Sequence, residues 1–466
     1  MGMECCKKVL LLINDDNDIR MFACKGKNTN TLGNCEMYTI EMWKNTCMLI
    51  KDRFYGNVLK MFTGTAGAYI FWALAMLVIG RLYSPEYFGR GQIFISATSI
   101  LATLATGRYE IAFTLPHFRF QAIQLFLFSI LLSLSCVVGV SFLLFGFRDM
   151  ITHITGVSTG ILFLVPIYMM ELCLYVLLYA WLVRTKRYRE TAIGLVLFPL
   201  SYVFFCIVLY PVEISMHKLI FSIILARGLE ILYYGYYLYK DMKYSTDKIT
   251  WHSVFRRGKE YADFPKYVFT GSFVESMVIY AGPFLVTTFW GVGATGCYSM
   301  AMQILAAPAG LIAKAVGDVF RQEGSRLYGK HRECNEFYRK NLRLCAIYSI
   351  VVCIGAYVVV PRLLPLFLGT QWTVVGQYVR WMLLMEFATL VSTPLGNMYI
   401  IARRQKEYMT IQLVAFLTSV LGIVGAGELG YGLETALMTW GVLTMIVSSV
   451  SIYGGWNIAK GGSNGL

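Results

Sequence analysis

Long apolar stretches are the feature that most constrains the fold of this chain. A window of about 20 residues, the length that an α-helix needs to cross about 30 Å of hydrocarbon, finds twelve such stretches. The bilayer interior offers no water to the backbone, so only helices and closed barrels can span it, and unbroken apolar runs favour helices. The sequence therefore predicts an all-α integral membrane protein with about twelve transmembrane helices. The predicted spans lie near residues 62–82, 90–107, 121–146, 160–182, 191–212, 218–239, 268–290, 296–319, 343–368, 378–401, 408–428 and 433–454.

Lysine and arginine are distributed unevenly between the two sides of the predicted bundle. From Lys51 onward, 27 of these residues lie before the first span, after the last span or in connections that follow an even-numbered span. Only 6 lie in the other connections. Short cytoplasmic loops carry an excess of basic residues. The distribution predicts that both termini are cytoplasmic and that the inner face attracts anionic lipid. It also accounts for the net charge of +14 without nucleic-acid binding.

The first 47 residues differ from the rest of the chain. They are polar and lack the order of charged, apolar and cleavage regions that marks a signal peptide. Their cysteines show no paired spacing typical of zinc sites, so we expect free thiols and neither a metal nor a cofactor. We expect residues 1–60 to be a polar extension that is either disordered or the product of an upstream start codon, with Met48 or Met61 as the natural beginning.

The longest internal polar segment, residues 241–266, divides the spans into two sets of six. We therefore expect an N-terminal lobe at 61–240, a C-terminal lobe at 267–456 and a cytoplasmic tail at 457–466. Within the linker, apolar residues recur at helical spacing, and basic residues occupy the other side. It is predicted to be either an amphipathic helix on the inner membrane surface or a solvated loop. The apolar residues are Trp251, Val254, Phe255, Gly258 and Tyr261, and the basic ones are Arg256, Arg257 and Lys259.

An internal repeat supports the division into two lobes. Phe62-Thr63-Gly64-Thr65 opens the first span, and Phe269-Thr270-Gly271-Ser272 opens the seventh. In both copies a further glycine follows 25 residues later, at Gly89 and Gly296. This pattern predicts two parallel six-helix lobes around a central cavity.

Several short motifs resemble one family of membrane proteins. The stretch from Arg81 to Gly89, which includes Pro85, is followed after a span by Arg108-Tyr109-Glu110 and Leu115-Pro116. This order is similar to the opening of the Wzx-type O-antigen and capsule flippases of the polysaccharide biosynthesis protein family. The resemblance covers about residues 55 to 410. Further similar motifs are Phe264-Pro265-Lys266-Tyr267, Gly296-Cys297-Tyr298-Ser299, Ile304-Leu305, Val319-Phe320-Arg321-Gln322 and Leu368-Gly369.

The resemblance implies a member of the multidrug, oligosaccharidyl-lipid and polysaccharide exporter (MOP) superfamily, in which two lobes alternate access to a cavity. The implied substrate is an oligosaccharide on undecaprenyl diphosphate, a repeat unit of O-antigen lipopolysaccharide, capsule or exopolysaccharide. It would be moved across a bacterial inner membrane, and ion coupling is expected. The implied partners are this lipid-linked substrate, membrane lipids and other polysaccharide assembly proteins.

Two other classes of protein compete with this interpretation. A secondary exporter of the same fold that carries drugs or another lipid remains the alternative. An enzyme is not expected, because the chain has no P-loop, no H-E-x-x-H motif and no nucleophile elbow, and its outer connections leave little room for catalytic acids.

Two cations within predicted spans are candidates for binding the diphosphate. Arg227 lies in the sixth span and Lys314 in the eighth. Charges at such depth are costly and therefore suggest function, and a cation in each lobe would clamp a diphosphate. Alternatively, Glu230 and Asp318 are close enough in sequence to form intrahelical ion pairs with these cations.

Acidic residues within spans are candidates for ion coupling. Glu171, Glu275 and Glu386 have no cation within one helical turn, so they can bind a proton or a cation, and Asp318 is a fourth candidate. They can equally be hydrogen-bonded structural acids, or pair across helices with Arg227 or Lys314. We assign structural roles to the motif residues Arg81, Pro85, Gly89, Arg108, Tyr109 and Glu110, and expect Arg108 and Glu110 to brace the second span.

Overall fold

The architecture is described from a computed structural model. It describes residues 9–13, 19–23, 53–113, 115–116, 118–150, 159–212, 217–243, 250–262, 265 and 269–461. Residues Met1–Leu59 form one compact unit and Lys60–Leu466 another. In the first unit, the strands β1 (Val9–Ile13) and β2 (Ile19–Ala23) pair as an antiparallel hairpin. All five cysteines of the first 47 residues lie outside the described residues.

Helices make up nearly all of the described second unit. The first lobe contains α1 (Arg53–Leu82), α2 (Pro85–Thr106), α3 (Tyr109–Ala112), α4 (Arg119–Gly146), α5 (Thr159–Arg184), α6 (Tyr188–Leu209) and α7 (Lys218–Met242). The linker contains α8 (Trp251–Glu260). The second lobe contains α9 (Phe269–His331), α10 (Asn335–Leu368), α11 (Thr373–Leu395), α12 (Asn397–Ile401), α13 (Gln405–Glu428) and α14 (Leu433–Ala459).

The long helix α9 holds two of the predicted spans. Its backbone is non-helical at Gly291, where φ is 83° and ψ is 174°. The equivalent position in the first lobe is Ser84, 207 residues earlier, where an extended backbone separates α1 from α2. The two lobes therefore change direction at the same point of the repeat. With α9 counted as two, twelve long helices correspond to the twelve predicted spans.

The surface of the bundle suits a lipid environment. Nine helices in the described residues are long and apolar enough to cross a membrane, and Gly67–Leu82 is a shorter apolar helix. Large apolar side chains such as Phe142, Leu232 and Leu366 are more than 70% exposed. Lipid chains accept these side chains, whereas a soluble protein rarely exposes such extensive apolar surface. The prediction of an all-α integral membrane protein with two six-helix lobes is confirmed.

Contacts between the two lobes concentrate along α2 and α9, which pack against each other over a long stretch. The Ser276 hydroxyl donates to Thr103 Oγ1 at 3.0 Å. At the opposite end of α2, the Trp372 indole donates to the Gly80 carbonyl at 2.7 Å. That end carries the turns at Ser84 and Gly291, and we call it the outer end; the end that carries Arg108 is the inner end.

Candidate functional site

A cavity of about 420 Å³ lies between the lobes. Helices α1, α2, α5, α6 and α7 of the first lobe supply most of its lining. Among the described residues, the second lobe contributes Tyr280 and Gln303, both from α9. Gln303 accepts a hydrogen bond of 3.2 Å from the Trp72 indole, which joins the lobes at the cavity wall.

One face of α2 gives the cavity a polar stripe. The side chains of Gln92, Ser99, Thr103 and Thr106 line the cavity together with Ile95. Their spacing of three to four residues places them on one face of a helix. Because these groups hydrogen-bond readily, the stripe allows water or a polar ligand to lie within an otherwise apolar bundle.

Arg227 of α7 lies at the cavity wall in a closely fitted environment. Its guanidinium forms an ion pair with Glu230 on the next turn. The guanidinium carbon lies 3.7 Å from the centroid of the Phe198 ring and 4.3 Å from that of Tyr175. The Arg227 side chain is 11% exposed and that of Glu230 is 1% exposed. The intrahelical pair considered from sequence is therefore present, and the rings come from α6 and α5.

Glu171 of α5 is a second carboxyl beside Arg227. Its Oε1 lies 3.4 Å from the position that a Cβ at Gly228 would take, so the carboxyl packs against α7 next to Arg227. The charge of Arg227 acts on it across the two helices. Its buried Oε2 has no hydrogen-bond partner within the described part of the chain. If both carboxyls were ionised, the three groups would carry a net charge of −1.

Arg108 and Glu110 line the inner end of the same cavity. Gly107 and Arg108 adopt left-handed backbone conformations, with φ of 54° and 60°, which end α2 and turn the chain into α3. Arg108 Nη1 lies 3.3 Å from Glu110 Oε1. Burial raises the pKa of the Glu110 carboxyl, and the neighbouring Arg108 acts in the opposite direction. These motif residues therefore brace each other and also border the cavity.

The remaining candidate acids and cations lie elsewhere. Glu386 of α11 is 6% exposed, is not among the lining residues, and its charge acts on Tyr348 and Cys353 of α10. The side chains of Lys314, Asp318 and Glu275 lie outside the described residues. Both described cations of the cavity, Arg227 and Arg108, belong to the first lobe. Within the described residues, no three His, Cys, Asp or Glu side chains are grouped so that they could hold a metal ion.

The other motif residues lie at the ends of α2. Arg81 Nη1 lies 3.2 Å from the position that a Cβ at Gly369 would take, and Pro85 and Gly89 contact α9. At the inner end, the Tyr109 hydroxyl donates to the Gly258 carbonyl at 3.1 Å, so this motif residue holds α8. Sequence reasoning did not place Arg108 or Glu110 at the cavity, although their position just past the end of a span indicated a membrane boundary.

Comparison with known proteins identifies the family. The model of the polysaccharide biosynthesis protein family matches residues 78–377, which is more than half of the chain. No curated protein sequence matches the chain.

Several solved structures share the fold. The structure of the lipid II flippase MurJ in an inward closed conformation has a TM-score of 0.68 and 12% identity, over 84% of this chain and 86% of that one. An inward-facing multidrug resistance MATE family transporter of the MOP superfamily has a TM-score of 0.61 and 13% identity, over 83% and 93%. A MOP superfamily transporter from Pyrococcus furiosus has a TM-score of 0.59 and 11% identity, over 86% and 94%. The chain therefore belongs to the polysaccharide biosynthesis protein family and is a multi-pass membrane protein with the fold of the MOP superfamily transporters.

Proposed function

We propose that this protein is a flippase that moves an oligosaccharide linked to undecaprenyl diphosphate from the cytoplasmic to the periplasmic face of a bacterial inner membrane. The observation that carries the proposal is the cavity between the lobes, which has a polar stripe and two arginines, in a chain of the polysaccharide biosynthesis family. O-antigen, capsule and exopolysaccharide repeat units all have the required chemistry.

The cavity offers the polar part of such a lipid an environment that the bilayer lacks. Unpaired charges and polar groups are costly to transfer into hydrocarbon. A volume of about 420 Å³ lies within the usual range of small-molecule pockets, about 300–1,000 Å³, and suits a diphosphate with an adjoining sugar. The prenyl chain would remain among the lipid tails. Repeated opening of the cavity at alternate ends would then carry the polar part across.

Arg227 is the proposed ligand of the diphosphate. Its planar guanidinium can bind phosphate oxygens in a bidentate manner, and Phe198 and Tyr175 fix the orientation of its plane. Arg108 is a second cation at the inner end of the same cavity. Lys314 remains the candidate cation of the second lobe.

Glu171 is the candidate best placed for ion coupling. With Glu171 and Glu230 both ionised, the net charge beside Arg227 would repel a diphosphate. A proton on Glu171 would neutralise one carboxylate and remove this net negative charge, so that the site around the Arg227–Glu230 pair no longer repels the phosphate. Binding of the proton and of the substrate would then be thermodynamically linked through Glu171. Glu275, Glu386 and Asp318 are the further candidates.

The proposed direction rests on the position of Arg108 at the cavity and on the distribution of basic residues. Contacts such as Trp372 to Gly80 join the lobes at the outer end, whereas Arg108 borders the cavity at the inner end. The excess of basic residues on the inner side supports a cytoplasmic position for that end.

Deletion of the gene tests the proposal. We expect oligosaccharide on undecaprenyl diphosphate to accumulate on the cytoplasmic face, surface glycan to disappear, and drug sensitivity to remain unchanged. Complementation with Arg227→Ala should fail, and complementation with Arg326→Ala should succeed, because Arg326 forms a similar pair with Glu323 on the exposed surface. Unchanged surface glycan in the deletion strain would refute the flippase. Altered drug sensitivity with normal glycan would support the drug exporter instead.

A further inference from the structure

The linker helix α8 is fixed to the first lobe along one side. A capping box between Thr250 and Ser253 defines its start. Val254 is 1% exposed, and a Cβ at Gly258 would lie 2.5 Å from the Phe128 ring of α4. Of the apolar face predicted from the sequence, Val254 and Gly258 therefore pack on the first lobe.

The other side of α8 exposes both aromatic and basic residues. Trp251 is 70% exposed and Phe255 is 53% exposed. Arg256 and Lys259 are also exposed, whereas the neighbouring Arg257 is buried and pairs with Glu260. We call Trp251, Phe255, Arg256 and Lys259 the exposed strip. At about 100° per residue, the two aromatic residues lie next to the buried face, and the two basic residues lie farther round the helix.

The depth of α8 in the membrane follows from its contacts with α4. Gln124 Nε2 donates to Ser253 Oγ at 3.1 Å, and the Phe128 ring contacts Gly258 and Phe255. Helix α4 begins at Arg119 and is long and apolar enough to cross the membrane. With a rise of about 1.5 Å per residue, these contacts lie about 7 to 14 Å along α4 from its start. With Arg119 placed among the headgroups, this level lies at the boundary between headgroups and acyl chains.

We propose that the exposed strip is a binding surface for anionic phospholipid headgroups. Aromatic side chains favour the boundary between headgroups and acyl chains, and basic side chains beside it bind lipid phosphates. Around the helix, the buried protein contacts are followed by the aromatic rings and then by the cations. A bilayer changes in the same order, from hydrocarbon through the interface to the charged headgroups. A soluble acidic partner fits less well, because α4 continues from these contacts into an apolar stretch that is only 17% buried and is long enough to cross the membrane. This surface lies outside the cavity, and the inference does not depend on the transported substrate.

The full-length protein purified in a neutral detergent provides the test. Short-chain phosphatidylglycerol and phosphatidylcholine would each be titrated, with the unfolding temperature as the readout. We expect phosphatidylglycerol to stabilise the wild type more than phosphatidylcholine does. The double variant Arg256→Gln with Lys259→Gln should bind phosphatidylglycerol about 30-fold more weakly, since each basic residue near an anionic surface contributes a factor of about five. High salt should reduce the difference.

Two control proteins make the result specific. Arg339→Gln with Lys340→Gln removes the same charges from exposed positions of the second lobe and should retain wild-type affinity. Trp251→Ala with Phe255→Ala should weaken the binding of both lipids. Equal phosphatidylglycerol affinity in the wild type and the Arg256/Lys259 variant would overturn the proposal and point to another partner. An equal loss in the Arg339/Lys340 control, or the same stabilisation by inorganic phosphate, would also overturn it.

Discussion

Gly89 of α2 and Gly296 of α9 lie at one helix contact at the outer end, where a side chain on either glycine would clash with the backbone of the other helix. A Cβ at Gly89 would lie 2.1 Å from the Val292 carbonyl oxygen and 3.0 Å from the Gly296 nitrogen. A Cβ at Gly296 would lie 1.9 Å from the Pro85 carbonyl oxygen. Val292 follows Pro85 by the same 207 residues that separate the two glycines, so the contact is symmetric between the repeats.

This contact predicts that the Gly296→Ala variant loses stability in the observed conformation. The obstructing atom belongs to the backbone and cannot rotate away, so overpacking should cost about 1–3 kcal/mol. Gly139→Ala is a suitable control, because nothing lies within 4 Å of its new Cβ and alanine favours helix. Thermal unfolding in detergent should show a lower midpoint for Gly296→Ala alone. Equal midpoints in the two variants would mean that the outer ends are not held together by this contact.

The two glycines also show how much of the fold the sequence could predict. Their equal distance from the repeated motif indicated two equivalent lobes, and the apolar runs indicated the spans. Their mutual contact could not be predicted, because it depends on how α2 crosses α9. Similarly, the spacing of Arg227 and Glu230 indicated their pair, but the rings of Tyr175 and Phe198 come from distant segments. Arg108 reaches the cavity through a left-handed turn at Gly107 and Arg108, and a positive φ at an arginine cannot be predicted from residue type.

A second prediction concerns the hydrogen bond that holds α8. Tyr109→Phe removes the donor to the Gly258 carbonyl and leaves that acceptor without its partner, which should cost about 1 kcal/mol. Tyr236→Phe, at a side chain that is 61% exposed, should change stability little. The difference in unfolding midpoint between the two variants measures the contribution of the bond. If both variants unfold like the wild type, α8 is held by packing alone.

A third prediction tests the orientation. The distribution of basic residues predicts that Lys259 and Arg332 lie in the cytoplasm and Gly293 in the periplasm. Reporter fusions after Lys259 and after Arg332 should therefore be active only with a cytoplasmic reporter, and a fusion after Gly293 only with a periplasmic one. A reversed result at any of the three sites would contradict the proposed orientation.

A fourth prediction concerns the N-terminal extension. The cavity lies within the unit Lys60–Leu466, and a chain that starts at Met48 retains all of α1. We expect this shortened chain to insert and to restore surface polysaccharide in a deletion strain as well as the full chain does. The measurement is surface glycan at matched protein abundance. Reduced glycan at normal abundance would show that the first 47 residues contribute to function.

The last prediction separates the two roles of Arg227. If its guanidinium binds the diphosphate, Arg227→Ala should abolish surface polysaccharide at normal protein abundance. Arg227→Lys should retain part of the activity, because an ammonium group still attracts phosphate but loses the bidentate geometry.

A purely structural role leads to a different outcome for the pair. Glu230 is almost completely buried, so removing Arg227 would leave an uncompensated carboxyl and destabilise the protein. Removing both groups should then restore abundance and activity. The measurement is a double-mutant cycle of Arg227→Ala and Glu230→Ala, with transport and abundance recorded for each variant. Recovery of transport in the double variant would exclude the diphosphate-binding role, and continued inactivity at normal abundance would support it.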